Sequence, residues 1–420
     1  MKIIADFHLH SLWSRATSKQ MNLDGLSNGA KIKGLNLLGT GDFTHPKWFA
    51  ELKKKLEPIE GTGLFKYNDV LFTLTSEVAT YFTFQNQMKR VHHVIHAPSF
   101  EIVEQINEKL SRSGNLSSDG RPILNISAAE LVEILVEISK DILIYPAHAW
   151  TPWMSCLGSK SGFNSIEECY QDQVKHIFAL ETGLSSDPAM NWRLSDLDKF
   201  TLLSNSDSHS PHPWRLGREA NVFDLEKITY WEIFDSIKNK DKKKFLYTIE
   251  VDPNYGKYHF TGHRNCGIVL HPKDAIKLNN ICPKCHRKLT IGVLQRVEEL
   301  ADRPEGFVPK DAIPFKTLLP LYEIISFSWG SGELYSKKVL EEHDKLIEKF
   351  GNELNVLLNV PKEELLKVTN EKIADAIIKV REGKVKYKPG YDGNYGQPIF
   401  DENFIQKKVE LPTQKSLKEF

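Results

Sequence analysis

At 420 residues, 40% hydrophobic and 26% charged, the chain has the make-up of a globular protein of two or three domains, or of one large barrel with additions. Its 55 basic and 55 acidic residues cancel, which excludes nucleic-acid binding through overall charge and leaves only a local patch. No apolar run approaches a membrane span, and MKIIADFH lacks the start of a secretory signal, so a cytoplasmic protein without membrane contact is expected.

From the N-terminus, short β-rich runs alternate with longer amphipathic stretches. Strands are expected near IIADFH, LNLLGTGD, LFTLTSE, RVHHVIHA, DILIYPAH, HIFALETG and FTLLSNSD. Segments such as ISAAELVEILVEISKDI carry apolar residues at helical spacing between them. This alternation predicts an α/β fold with a mostly parallel sheet, and about seven strands suggest a closed or nearly closed barrel. No GxGxxG follows the first strand, which counts against a dinucleotide fold.

Most of these strands end on a residue able to hold a metal. The first gives His8 and His10, two apart and so on one face. The second gives Asp42, with His45 close by, and the third gives Glu77. The fourth offers His92 and His93, the fifth His148, the sixth Glu181, and the last Asp207 and His209. In barrels of parallel strands the C-terminal face carries the chemistry. Buried charges at so many strand ends are costly unless paired or metal-bound, so a polynuclear metal site is expected. Such a site hydrolyses phosphoesters without a serine, cysteine or histidine nucleophile, because the metals activate water and draw charge from phosphoryl oxygens.

Beyond the charged boundary KNKDKKK, GHRNCGIVLHPKDAIKLNNICPKCHRKL places His263 and Cys266, then Cys282 and Cys285, at the spacing of a structural zinc site. His271 and His286 compete for the fourth place, and Cys156 and Cys169 read as buried thiols. From RVEELADR onward the chain reads helical, broken by prolines. From about Lys384 it turns to Gly, Pro and Tyr and reads as loop and tail.

DFHLH, the Asp of GTGD, then Glu77, VHH, PAH and NSDSH resemble the polymerase and histidinol phosphatase (PHP) family. That resemblance implies a distorted (β/α)7 barrel holding up to three divalent metals. His8, His10, Glu77 and Asp207 would hold one, and Glu77, bridging, with His92 and His148 another. His92 is preferred to His93 because neighbours on a strand face opposite ways. Phe43 stands where many members have histidine, which leaves a third metal position open to Asp42, His45 or His209.

The order of parts is similar to the endonuclease Q family from residue 1 to about 400. AHxxTPW, GLSSDP, SNSDSHSP with LGRE, and the knuckles before RVEELADR carry the likeness. It implies a PHP barrel over residues 1–248, a zinc-binding module over 249–300, a helical domain over 301–383, and a loop and tail over 384–420. The implied activity is a DNA-repair endonuclease that nicks double- or single-stranded DNA 5′ of deaminated bases (uracil, hypoxanthine, xanthine) and of abasic sites. Zinc is expected in the module and the barrel, with Mg2+ or Mn2+ as further candidates. Trp150, Trp153 and Phe163 could line a lesion pocket, wedge the duplex or simply pack. Lys386 and Tyr387 could contact DNA or sit on a solvated loop. Gln414, Leu417 and Phe420 in LPTQKSLKEF resemble the peptide that binds a PCNA-type sliding clamp. The rival functions are a PHP-type small-molecule phosphoesterase, which needs neither knuckles nor helical extension, and a non-catalytic DNA-binding or scaffold protein.

Overall fold

The computed structural model describes residues 1–400, so Gln414, Leu417 and Phe420 of the clamp-like peptide lie outside the described residues. The apolar run Ile3-Ile4-Ala5 forms the strand Lys2–Asp6, which pairs parallel with Leu37–Gly39 and antiparallel with Ala220–Asp224. Leu37–Gly39 in turn lies parallel to the long strand Val70–Phe84. Gln87–Ala97 runs antiparallel to Val70–Phe84 and to Leu143–Pro146. Ala179–Glu181 and Thr201–Leu203 form a separate parallel pair. Backbone contacts tie that pair to the strands on either side: His10 N, after the first strand, donates to Ser208 O at 3.1 Å, and Ala149 N, after Leu143–Pro146, donates to Glu181 O at 2.9 Å.

The mixed α/β class is as expected, but the sheet is not mostly parallel. All eleven strands of the main sheet are linked by both parallel and antiparallel ladders. The reason lies in FTFQNQ, where Gln85 and Asn86 both adopt positive φ. That is the requirement of a two-residue hairpin turn, so the third and fourth expected strands fold back on each other rather than crossing over. Glu77 therefore lies inside a 15-residue strand instead of at its end. RVHHVIHA brings its histidines in from the opposite direction.

The helices Leu23–Lys33, Pro46–Lys55, Phe100–Leu110, Ala128–Ile138 and Tyr230–Lys238 flank the sheet. Ala128–Ile138 starts at Ser127 in a capping box with Glu130, and it buries Leu131, Val132 and Leu135. The C-terminal part is not wholly helical. Phe315–Thr317 joins the main sheet beside Phe245–Glu250, and Lys386–Lys388 pairs with Gln397–Ile399 where loop was expected.

One buried ion pair ties the first helix to the C-terminal helices. Lys33 Nζ lies 2.7 Å from Glu353 Oε1 and 2.8 Å from the Pro213 carbonyl, and both side chains are almost wholly buried. Glu353 also accepts from Leu321 N at 3.0 Å. Removing one partner strands the other charge away from water. Lys33→Met is expected to cost about 3–5 kcal/mol in urea denaturation, and adding Glu353→Gln should restore much of the loss.

Candidate metal centre

His8 and His10 stand on the extension of the first strand, facing Glu77 from the long strand and Asp207 from the loop after Thr201–Leu203. His8 Nε2 is 3.5 Å from Glu77 Oε2 and 3.6 Å from Asp207 Oδ1; His10 Nε2 is 3.1 Å from each of those oxygens. The other oxygen, Glu77 Oε1, is 2.7 Å from His92 Nδ1 and 3.2 Å from His148 Nε2. The ligand atoms of His8, His10, Glu77 and Asp207 all lie within 4.8 Å of one another, as do those of Glu77, His92 and His148. Glu77 thus offers one oxygen to each group.

These spacings suit a metal. Bonds of about 2.0–2.1 Å in tetrahedral array put ligand atoms roughly 3.3 Å apart. His8 Nε2 is also buried without a hydrogen-bond partner, while its Nδ1 bonds Glu181 at 3.0 Å. A buried ring nitrogen left facing two carboxylates is costly, and a divalent ion satisfies it. The outer nitrogens are held in the same way elsewhere. Asp42 accepts from His10 Nδ1 at 3.1 Å and from Ser11 N and Ser14 Oγ, and Ser155 Oγ lies 2.9 Å from His148 Nδ1.

The charges are strongly coupled. Burial alone would lift the Glu77 carboxyl, but His92, Arg121 and His8 hold it well below the usual carboxylate range. Burial would likewise lift Asp207, yet His8, His10 and His209 hold it far down. Against burial, Glu181, Glu77 and Asp207 push His8 well above an ordinary imidazole. Desolvation instead lowers His92 to about 4, so it is neutral at pH 7 and free to donate a lone pair.

The chain bends sharply to aim these groups. Asp42, His148 and Asp207 all have positive φ, an uncommon backbone state that clusters at functional sites. Gly183 of GLSSDP lies against His148, where a Cβ would sit 2.7 Å from the His148 Cβ. Only glycine lets the two loops meet.

Register explains the histidine pair. Val78 faces His93 and Ala79 faces His92, so His92 shares the Glu77 face while His93 turns away to Thr80 and Tyr170. Asp42 and His209 stand beside the ligand groups rather than in them: Asp42 bonds His10, and the His209 ring packs at 4.3 Å on His10. His45 packs against Trp13. Trp150 and Phe163 are 1% and 2% exposed core residues, whereas Trp153 is 44% exposed and meets Tyr258 at 5.6 Å. Lys386 is exposed, and Tyr387 packs partly buried on the core.

Sequence reasoning did not bring the opposite wall to the site. A cavity of about 310 Å³ beside His148, Asp207 and His209 is also lined by Asn205, Arg218, Lys257, Tyr258 and Tyr395. Arg218 was carried by the LGRE motif, but nothing in sequence pairs Lys257 with Tyr395 across 138 residues. Arg121, whose Nη1 bonds Glu77 Oε2 at 3.1 Å, lies in an irregular loop with no motif.

In the second cluster His263, Cys266, Cys282 and Cys285 also bring their ligand atoms within 4.8 Å of one another. Cys285 Sγ lies 3.3 Å from His263 Nδ1. Against burial, the amides of Cys285 and Lys284 and the His263 ring lower the Cys282 thiol to about 6, toward the thiolate a metal needs. His271 instead caps the helix Pro272–Lys277, accepting from Lys273 N. The local apolar core is only Ala275, Cys282 and Leu289 with a few half-buried neighbours, too little to hold this segment unaided.

Residues 320–384 match the family described as the MJ0043 C-terminal domain. The chain is 39% identical over 255 residues to the protein MJ0043 of Methanocaldococcus jannaschii, covering 60% of this chain but spanning only 31% of that relative's length. It is 30% identical over 416 residues to YqxK of Bacillus subtilis, covering 94% of this chain and 99% of that protein. Among solved structures, the lesion-specific endonuclease Q of Pyrococcus furiosus superposes with a TM-score of 0.86 at 38% identity, over 97% of this chain and 98% of that one. An endonuclease Q bound to a 27-mer duplex substrate, with an abasic lesion at its active site, gives the same TM-score and identity over 98% and 99%. With that identity and that coverage, the chain belongs to the endonuclease Q family of DNA endonucleases.

Proposed function

We propose that this protein is a metal-dependent DNA-repair endonuclease that nicks the phosphodiester 5′ of deaminated bases and abasic sites. The observation that carries the reading is the shared carboxylate of Glu77, one oxygen in each ligand group. We read the sheet around it as a distorted PHP barrel, with a zinc-binding module and a helical domain following at the boundaries given above.

His8, His10, Glu77 and Asp207 would hold one divalent ion, and Glu77, His92 and His148 a second. Zinc suits the imidazole-rich set, and Mn2+ or Mg2+ the carboxylates. Bound there, such ions would supply an activated water and a counter-charge for the phosphoryl oxygens. Glu181, Asp42 and Ser155 fix the imidazole tautomers so that the inner nitrogens point at the site. Asp207, one-third exposed, opens the ligand groups toward the cavity. There Arg218 and Lys257 can meet a DNA backbone, and Tyr258, Tyr395 and Trp153 offer ring faces.

The proposed lesions share one chemistry. Deamination replaces an amino group beside an acceptor nitrogen with a carbonyl beside an N–H. One acceptor–donor pair can therefore read uracil and hypoxanthine, and cytosine and adenine present it reversed. A base must leave the stack to be read, which is cheapest for a mismatched or missing one. The clamp peptide at Gln414, Leu417 and Phe420 would bring a PCNA-type sliding clamp as partner.

The direct test is incubation with Mn2+ and labelled duplexes carrying uracil, hypoxanthine, an abasic site or no lesion. Nicking 5′ of the lesions, lost in Glu77→Ala and Asp207→Ala while lesion binding persists, is expected. Equal cutting of the undamaged duplex refutes the reading, as does activity of either variant within about tenfold of wild type.

Asp42→Asn isolates the carboxylate that stands behind His10. Asparagine tolerates the positive φ at this position, so the change removes charge without straining the turn. Metal affinity, followed by calorimetry, should fall about 10–100-fold.

Cys282→Ser should lose one equivalent of zinc by elemental analysis and melt at lower temperature, because metal binding supplies folding energy to so small a core. Unchanged zinc content would mean that these four residues hold none.

A further inference from the structure

Arg121 is a permanently charged group in contact with the oxygen on which one ligand group depends. Its Nη1 lies 3.1 Å from Glu77 Oε2, the same atom that His10 Nε2 meets at 3.1 Å and His8 Nε2 at 3.5 Å. Among the described residues its guanidinium bonds Glu77 alone, so most of its donors remain uncommitted. Glu77 is fully buried, whereas the Arg121 side chain is 31% exposed, so the guanidinium bridges the buried carboxylate and solvent.

The backbone that carries it is fixed. Arg121 N donates to Asp119 Oδ1 at 3.2 Å, Gly120 N to Trp13 O at 3.1 Å, and Ala79 N to Pro122 O at 3.0 Å. The loop cannot drift away, but a long arginine side chain can swing from that anchor.

Guanidinium does not release its proton in proteins, unlike the histidines around it. A divalent ion on Glu77 Oε2 would therefore share that oxygen with a fixed positive charge at close range. The two cations compete for one carboxylate. Asp207 and Asp119 add to the attraction that Glu77 exerts on Arg121.

We propose that Arg121 fills the place of a cation at Glu77 Oε2 in the metal-free protein and, once displaced by the ion, binds a phosphate oxygen of the substrate. Planar paired donors match a phosphate, and a guanidinium released beside the ligand groups is positioned to meet one. This rests on the metal-site reading above, and the experiment keeps the two apart.

Mn2+ is titrated calorimetrically into wild type, Arg121→Gln, Arg121→Lys and Glu77→Ala; Mn2+ is chosen because the cysteine-rich cluster disfavours it. Inorganic phosphate is then titrated into the Mn2+-loaded proteins. With its competitor removed, Arg121→Gln should bind Mn2+ about threefold or more tightly. It should bind phosphate about tenfold more weakly. The metal-free variant should melt at lower temperature, because Glu77 has lost its counter-charge. Arg121→Lys keeps the charge and should bind Mn2+ as wild type does, which separates charge competition from a folding defect. Mn2+ affinity in Arg121→Gln that equals or falls below wild type, or phosphate affinity that does not change, overturns the proposal while leaving the metal site intact. Absence of Mn2+ binding to wild type, with Glu77→Ala indistinguishable from it, overturns both.

Discussion

The structure turns on the burial of one carboxylate. Glu77 is 1% exposed at the middle of a 15-residue strand, where an unpaired charge is prohibitively costly. What surrounds it offsets that cost: four imidazoles from three separate segments, and the Arg121 guanidinium from a fourth. Each of those groups must itself be aimed, which is why Asp42, Glu181 and Ser155 stand behind the rings. It is also why three turn residues accept positive φ. Stability and chemistry here draw on the same contacts, so the protein cannot relax the site without exposing a charge.

Much of this was legible because strands obey a strict period. His8 and His10 share a face by parity, and the same rule separates His92 from His93 on a strand whose direction was misjudged. Parity survives reversal of the strand, so these side chains could be grouped on one face while the topology was wrong. The topology failed at Gln85-Asn86, a turn that lacks the glycine by which such hairpins are usually recognised. The zinc-type cluster was legible for a similar reason, since knuckle spacing is local and its ligands lie within 23 residues of sequence.

Aromatic residues were read less well. Trp150, Trp153 and Phe163 lie on one loop and look alike in sequence, yet only Trp153 remains exposed. Trp150 is held inside by a 2.8 Å bond from its Nε1 to Asn191 Oδ1, a partner 41 residues away. A buried tryptophan N–H usually finds an acceptor, and sequence proximity does not report where that acceptor lies. Arg121 was missed for the converse reason. Its loop has no periodicity, and its significance comes wholly from the carboxylate it reaches.

The same dependence on distant partners explains how a chain of zero net charge builds a basic wall. Arg215 and Arg218 follow the Asp207 loop, Lys257 begins the segment leading to the zinc-type cluster, and Tyr395 comes from the last described hairpin. Lys257 Nζ sits 4.7 Å over the Tyr395 ring, and Arg215 lies 5.9 Å from it on a longer approach. The wall is laced by backbone: Gly390 N donates to Asn254 O, Gly393 N to Lys257 O and Gly396 N to Tyr255 O, all between 2.8 and 3.0 Å. Phe260, just before the strand Thr261–His263, forms a bridge with Tyr391 of the same hairpin. The hairpin and the knuckles therefore brace each other, and together they hold Lys257 and Tyr395 across the cavity from Asp207 and His148. The segment around the four zinc-type ligands, with only three buried residues of its own core, is thus braced against the hairpin that carries Tyr395 into the wall.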